Sequence, residues 1–147
     1  MEKVKNRNNP KLPAPKKIKT LIVDGQNNHY VWLKTTMMMQ DYLEETGLFE
    51  VDIRHMNSVW LGIKYKESRP EPYTMFNEKY TVGDASYCIS YNPITTSDFE
   101  IDFKKCDLVV TNLGFEAALW PEATRTSFES YMKNGGGLVV VHAANNA

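Results

Sequence analysis

The sequence has few cysteines, no long apolar run and almost no net charge, and each shortage excludes a class of protein. Two cysteines in 147 residues are too few for a disulfide scaffold or a structural zinc site. No apolar run approaches the roughly 20 residues of a membrane span, and the charged start of the chain lacks the apolar segment of a signal peptide. A formal net charge of -1 gives no global field to attract nucleic acid or an anionic membrane. We therefore expect a cytoplasmic protein with neither of these partners.

The remaining composition is that of an ordinary globular domain, 42% hydrophobic and 24% charged. Residues 1–16 combine prolines with lysines and no apolar pattern, which predicts a disordered leader. Residues 17–147 have the length of one domain.

Strand and helix patterns alternate in the first third of this domain. Residues 18–23 form a β-rich run that stops at the turn signal Asp24-Gly25. Apolar residues at helical spacing then predict a helix from about residue 29 to residue 46, which ends at Gly47. Phe49, Val51 and Ile53 alternate with charged residues, which predicts a strand near a sheet edge.

The second half repeats the alternation after an irregular middle. Residues 57–103 are rich in Tyr, Pro and Asn, and we predict an insertion over one end of the sheet, with a hairpin between residues 73–80 and 86–90. Residues 107–112 predict a buried strand, Pro121 begins a helix, and residues 138–141 predict another buried strand. The order β, α, β, insertion, β, α, β predicts a doubly wound, mainly parallel α/β sheet.

Polar side chains follow three of these strands, where open α/β sheets bind their ligands. If the first strand lies centrally, two imidazoles, a carboxylate and several carboxamides share one cleft. Such a set suits a polyhydroxylated ligand, which needs many hydrogen-bond donors and acceptors. The first strand delivers Asp24, Gln26, Asn27 and His29, the strand at 107–112 delivers Asn112, and the last strand delivers His142, Asn145 and Asn146.

His142 is the strongest catalytic candidate, because it follows an apolar strand directly and its ring nitrogens need partners. His142 and His29 are candidate bases, with Asp24 as the third catalytic candidate. A divalent metal is a candidate cofactor, held by His29 and His142 with Asp24 as an oxygen ligand. The asparagines, Gln26 and Trp120 are candidate sugar-binding residues. Ordinary structural roles stay open as alternatives: a turn for Asp24, a helix cap for His29, turns for Asn145 and Asn146, and packing for Trp120.

Three segments carry a family resemblance: residues 20–29, residues 107–112, and residues 131–146 with their triple glycine followed by four apolar residues and His142. They resemble the ThuA-like (trehalose utilisation) family from about residue 17 to the end, except in the middle insertion. The resemblance implies a class I glutamine amidotransferase-like fold, related to flavodoxin-like sheets. It also implies carbohydrate catabolism, a small sugar as ligand, and a sugar oxidoreductase that makes keto-sugars as a pathway partner. Family members are usually longer, so we expect residues 17–147 to be an N-terminal portion with an uncovered apolar sheet face and low stability.

In true glutamine amidotransferases, a nucleophile-elbow cysteine follows the strand that corresponds to residues 138–141. His142 occupies that position here, and neither Cys88 nor Cys106 is near it, so amidotransfer is unsupported. The leading hypothesis is a sugar-processing enzyme (a lyase, isomerase or hydrolase) that uses acid/base or metal-assisted chemistry. The alternative is a non-catalytic carbohydrate-binding or regulatory module, with tyrosines of the insertion as a stacking surface. The substrate and the oligomeric state stay open.

Overall fold

The computed structural model describes residues 15–27, 29, 32–61, 99–115 and 117–146, with the backbone alone at 57–61 and 145–146. Its strands are β1 (Ile18–Asn27), β2 (Phe49–Leu61), β3 (Leu108–Thr111) and β4 (Gly137–Val140), and its α-helices are α1 (Trp32–Glu45) and α2 (Glu122–Lys133). All strand pairs are parallel, in the order β2-β1-β3-β4. The predicted α/β fold is therefore confirmed, with β1 central and β2 at an edge of the described sheet. The predicted leader, residues 1–16, lies almost wholly outside the described residues.

The sheet buries a different set of side chains on each face, because successive residues of a strand point to opposite sides. One face packs against Met39 and Leu43 of α1. Its buried side chains are Ile22, Val51 and Val110. The other face packs against α2 and the segment before β3. It buries Leu21, Val23, Val109, Phe99, Ile101, Phe103 and Tyr131. Helices on both faces make the sheet doubly wound.

Helix α1 begins at Trp32, three residues later than predicted, and its buried residues are Trp32, Leu33 and Thr36. The apolar residues at helical spacing that predict this helix include Tyr42 and Leu43. Tyr42 is 55% exposed, whereas Leu43 packs against the sheet together with Met39. The predicted end is confirmed, because Gly47 has a φ of 71°, typical of the residue after a helix. Among the described residues, no helix has the length and apolar character needed to cross a membrane.

Strand β1 contains an irregularity beside the predicted ligand-binding edge. The pairing of β1 with β2 runs regularly from Ile18 to Asp24 and then shifts before Gln26. Gly25, between these two residues, has a φ of 118°, and a Cβ atom there would lie 2.6 Å from the backbone nitrogen of Met56. The close backbone approach thus requires glycine. The shift lets β2 continue to Leu61, beyond the strand predicted from the sequence.

The predicted insertion, residues 57–103, was too wide at both ends. Residues 57–61 belong to β2. At the other end, Phe99, Ile101 and Phe103 are buried in the core, and the hydroxyl of Thr124 donates to the Phe99 carbonyl at 2.6 Å. These three alternating apolar residues cover the sheet, which explains why they are not part of a surface loop. The predicted hairpin lies outside the described residues.

Strand β4 was predicted to be buried, and this was wrong. Leu138, Val139 and Val140 are 36%, 47% and 42% exposed. β4 is the outer strand of the described sheet, so it has a neighbour on one side alone. The apolar side chains of β4 are therefore partly uncovered in the described structure.

Candidate functional site

All three histidines of the sequence lie near the carboxyl edge of the sheet. His29 follows β1, His142 follows β4, and His55 pairs with Asp24 near the end of β1. Because the strands are parallel, these three positions share one edge, where open α/β sheets bind ligands.

His29 and His142 face each other, as the prediction of a shared cleft requires. Their ring centroids are 4.7 Å apart, and the ring planes are inclined by 54°. Burial, and then the proximity of His142, lower the pKa of His29 below its ordinary value of 6.5. His29 therefore stays unprotonated at neutral pH and can accept a proton. The pair borders a cavity of about 180 Å³, whose other lining residues are Asn27, Trp32, Thr35, Asn112 and Val141.

The backbone at His142 forms a sharp turn between β4 and the 3₁₀ turn His142–Asn146. His142 has a φ of 45°, and no other non-glycine residue in the described part of the chain has a positive φ. The turn is held by the amide of Val141, which donates to the Thr111 carbonyl at 2.9 Å. A strained strand-to-helix turn that carries a reactive side chain is the geometry of a nucleophile elbow.

Cys106 is not placed for nucleophilic catalysis at this edge. It precedes β3, so it lies at the amino end of the parallel strands, opposite His142. Burial, and then the charge of Asp52, raise the pKa of its thiol above the ordinary value of 9.0. A thiol with a raised pKa is a poor source of thiolate. Cys88 lies outside the described residues, so the structure adds no support for amidotransfer.

The buried carboxamides of Asn27 and Asn112 link the elements around the cavity by hydrogen bonds. The side chain of Asn27 donates to the backbone and side-chain oxygens of Asn112, each at 3.3 Å, and its own Oδ1 accepts from the His29 amide at 2.8 Å. The Nδ2 of Asn112 reaches the start of α1, at the Trp32 carbonyl (3.1 Å) and the hydroxyl of Thr36 (2.9 Å). Both were predicted to bind substrate. In the structure their polar atoms contact protein, and they fix His29 and α1 around the cavity.

Asp24 pairs with His55 rather than with the other two histidines. The carboxyl group is fully buried, and its Oδ1 accepts a hydrogen bond from Nδ1 of His55, whose side chain is 43% exposed. Burial raises the pKa of Asp24 above 3.8, against the hydrogen bond and charge of His55. The bond to Asp24 raises the pKa of His55 above 6.5, against the effect of burial. Because the carboxyl group cannot reach water, His55 is the group that exchanges protons with the surroundings.

The other predicted site residues lie away from the His29–His142 pair and from the Asp24–His55 pair, or their side chains lie outside the described residues. The side-chain oxygen of buried Gln26 accepts from the Ala118 amide at 2.7 Å, so it braces the loop after β3. Trp120 stacks on Phe103, with centroids 5.7 Å apart, beside a separate apolar cavity of about 260 Å³. The side chains of Asn145 and Asn146 lie outside the described residues.

The predicted metal shell of Asp24, His29 and His142 does not assemble. In the described ranges, no group of three or more His, Cys, Asp or Glu side chains is close enough to hold a metal ion. His29 and His142 supply two facing nitrogen donors, whereas the oxygen of Asp24 is bonded to His55. The described residues therefore do not fit a complete divalent-metal site.

His55 and the α1 residues around the cavity were not among the site residues predicted from the sequence. The predicted second strand stopped at Arg54, so His55 was not considered, although parallel pairing of the first two strands places it beside Asp24. Trp32 and Thr36 belong to the buried face of α1, and neither was among the apolar residues that predicted this helix. Aligning the two strands in parallel register is the signal that would have found the Asp24–His55 pair.

Comparison with known proteins supports the family resemblance. No protein-family model matches the sequence, and neither does any curated protein. A solved protein from Parabacteroides merdae that is designated ThuA-like is similar to this chain, with 31% identity and a TM-score of 0.59. The match covers 90% of this chain and 34% of that protein, so the chain spans about a third of its relative's length.

The parallel sheet, the helices on both faces and the polar edge define an α/β protein with a strand-end site. The identity and the coverage of this chain then specify the group within that class. The chain belongs to the ThuA-like family, as the segments at residues 20–29, 107–112 and 131–146 predict.

Proposed function

We propose that the chain is part of a cytoplasmic protein of carbohydrate catabolism that acts on trehalose or a related disaccharide or keto-sugar by acid/base chemistry. The observation that carries this proposal is the His29–His142 pair beside a cavity at the carboxyl edge, with ring centroids 4.7 Å apart. Family membership supports the sugar context, and the facing imidazoles support proton transfer. A sugar oxidoreductase that supplies the keto group is the proposed pathway partner.

A keto-sugar suits this pair because the proton on the carbon next to its carbonyl is acidic. An imidazole that is neutral near pH 7 can remove that proton, and the lowered pKa of His29 keeps its ring in the required form. His142, exposed at the turn, faces the same ring and can exchange the proton with solvent. The carboxamides of Asn27 and Asn112 then act by holding this geometry, since their hydrogen bonds go to protein.

Deuterium exchange tests the proposal directly. A keto-glycoside incubated with the protein in D₂O is expected to lose the NMR signal of the proton next to its carbonyl. His29→Gln and His142→Asn are expected to slow this exchange by about 100-fold, because one positioned acid–base group contributes about 10²–10⁴ in rate. Asparagine is chosen because it tolerates the left-handed backbone at position 142.

Arg54→Gln is the matched control, because Arg54 is exposed on β2 and lies outside the cavity lining. Exchange at the wild-type rate in both histidine variants would refute the proposal. Binding of a disaccharide in calorimetry without any exchange would favour the alternative, a carbohydrate-binding module. The tyrosines proposed for that alternative (Tyr65, Tyr73, Tyr80, Tyr87 and Tyr91) lie outside the described residues.

A further inference from the structure

We propose that His55 is a third acid–base group of this site, acting as its general acid, and that Asp24 is the positioning residue that fixes the His55 ring. This inference rests on the proposed function, because it assigns the proton donor that the His29–His142 pair would work with. Neither the family resemblance nor the comparison with known proteins assigns a role to His55.

Asp24 lies behind His55, on the buried side of the pair. Asp24 is 0% exposed, and Oδ1 of its carboxyl group is bonded to Nδ1 of His55. The imidazole is itself 43% exposed, so the carboxyl group is the buried end of the pair. A hydrogen bond at Nδ1 fixes the ring orientation and tautomer, and it directs Nε2 away from the carboxylate. This is how an aspartate prepares a histidine for proton transfer in hydrolytic triads.

Trp32 contacts His55 and also borders the cavity of the His29–His142 pair. It is one of the residues that line this cavity, and its ring centroid lies 6.3 Å from that of His55 in an edge-on contact. Trp32 is 1% exposed at the start of α1, and its carbonyl accepts from Asn112. His55 and the cavity therefore share this anchored residue as a neighbour.

The pKa values of His55 and His29 are also displaced in opposite directions. The bond to Asp24 raises the pKa of His55, whereas burial and His142 lower the pKa of His29. Asp24 acts on His55 through both its hydrogen bond and its charge. Titratable groups with pKa values displaced in opposite directions supply the acid and the base of one reaction.

In the proposed step, one histidine accepts a proton from the substrate and another donates one to it. His29 accepts the proton from the carbon next to the carbonyl, and the electron pair of that C–H bond forms a carbon–carbon double bond. The carbonyl π electrons move to oxygen, and this oxygen takes the proton that His55 releases. The product is an enediol, and no oxidant or reductant is required. Return of a solvent-derived proton to carbon produces the isotope exchange.

The test measures the pH profile of deuterium exchange into a keto-glycoside. His55→Gln is expected to slow exchange by about 100-fold and to remove the alkaline limb, which reports loss of the acid's proton. Asp24→Asn is expected to move that limb to lower pH, because an amide no longer stabilises the imidazolium. Added imidazole is expected to restore part of the exchange in His55→Ala. A role in folding alone would give neither result.

The outcomes separate this inference from the proposed function. Slow exchange in the His29 and His142 variants, together with a wild-type rate and pH profile in His55→Gln, would overturn the role of His55 and leave the proposed function standing. No exchange by the wild-type protein would overturn both. Arg54→Gln serves again as the control, since it changes the residue before His55 and leaves the Asp24 bond in place.

Discussion

The hydrogen bonds of Asn112 predict a large loss of stability on its removal. Asn112 is 3% exposed at the end of β3. Its Nδ2 contacts the Trp32 carbonyl at 3.1 Å, the Thr35 hydroxyl at 3.2 Å and the Thr36 hydroxyl at 2.9 Å. An amide nitrogen has two protons, so about two bonds form at a time, each worth about 1 kcal/mol net. Including the buried acceptors left unpaired, Asn112→Ala is expected to lower the free energy of unfolding by about 2–4 kcal/mol.

Urea unfolding followed by circular dichroism measures this difference. Asn134→Ala is the matched control, because the Nδ2 of Asn134 donates to the Ser130 carbonyl at 2.7 Å in an exposed position. We expect it to change the free energy of unfolding by about 0.5 kcal/mol or less. Equal losses in the two variants would refute the reasoning, since burial and the link to α1 would then make no difference. An Asn112 variant as stable as the wild type would refute it as well.

The other predictions concern the bulge in β1 and the protonation of the histidines. Gly25→Ala is expected to cost at least about 2 kcal/mol, from the disfavoured φ and the contact with the β2 backbone; an unchanged urea midpoint would contradict this. In an NMR titration, His55 is expected to titrate above pH 6.5 and His29 below it. The stabilisation from His55 is therefore present below pH 6.5 and lost as the pH rises through its raised pKa, whereas His29 destabilises the fold as falling pH protonates it. Coincident titration midpoints would contradict the assigned environments.

Local patterns in the sequence predicted most of the fold. The β-rich run at residues 18–23 and the glycine at position 47 mark the start of β1 and the end of α1. The turn predicted at Asp24-Gly25 was wrong, because β1 continues through these residues as a bulge and ends at Asn27. The alternation after Phe49 predicted an edge strand, which the order β2-β1-β3-β4 confirms. Burial was harder to predict, because it depends on neighbours distant in the chain. Residues 138–141 are as apolar as a core strand, yet β4 is exposed.

The sequence predicted where the candidate site lies, but it did not predict most of the side-chain contacts within it. Parallel strands bring their carboxyl ends together, so the meeting of His29 and His142 followed from topology. The pairing of Asp24 with His55 depends on the register of β1 against β2, and the predicted second strand stopped at Arg54, one residue before His55. The packing of Trp120 on Phe103 joins residues that are distant in sequence, and it required the three-dimensional arrangement.

The backbone at His142 restricts which amino acids can replace it. Its φ of 45° is accessible to glycine, asparagine and aspartate at low cost and is strained for valine, isoleucine and threonine. The turn can therefore carry an imidazole, a carboxamide or a carboxylate without a change in the backbone of β4 or of the 3₁₀ turn. A design library limited to these residues would vary the chemistry at the rim of the cavity without rebuilding the sheet below it.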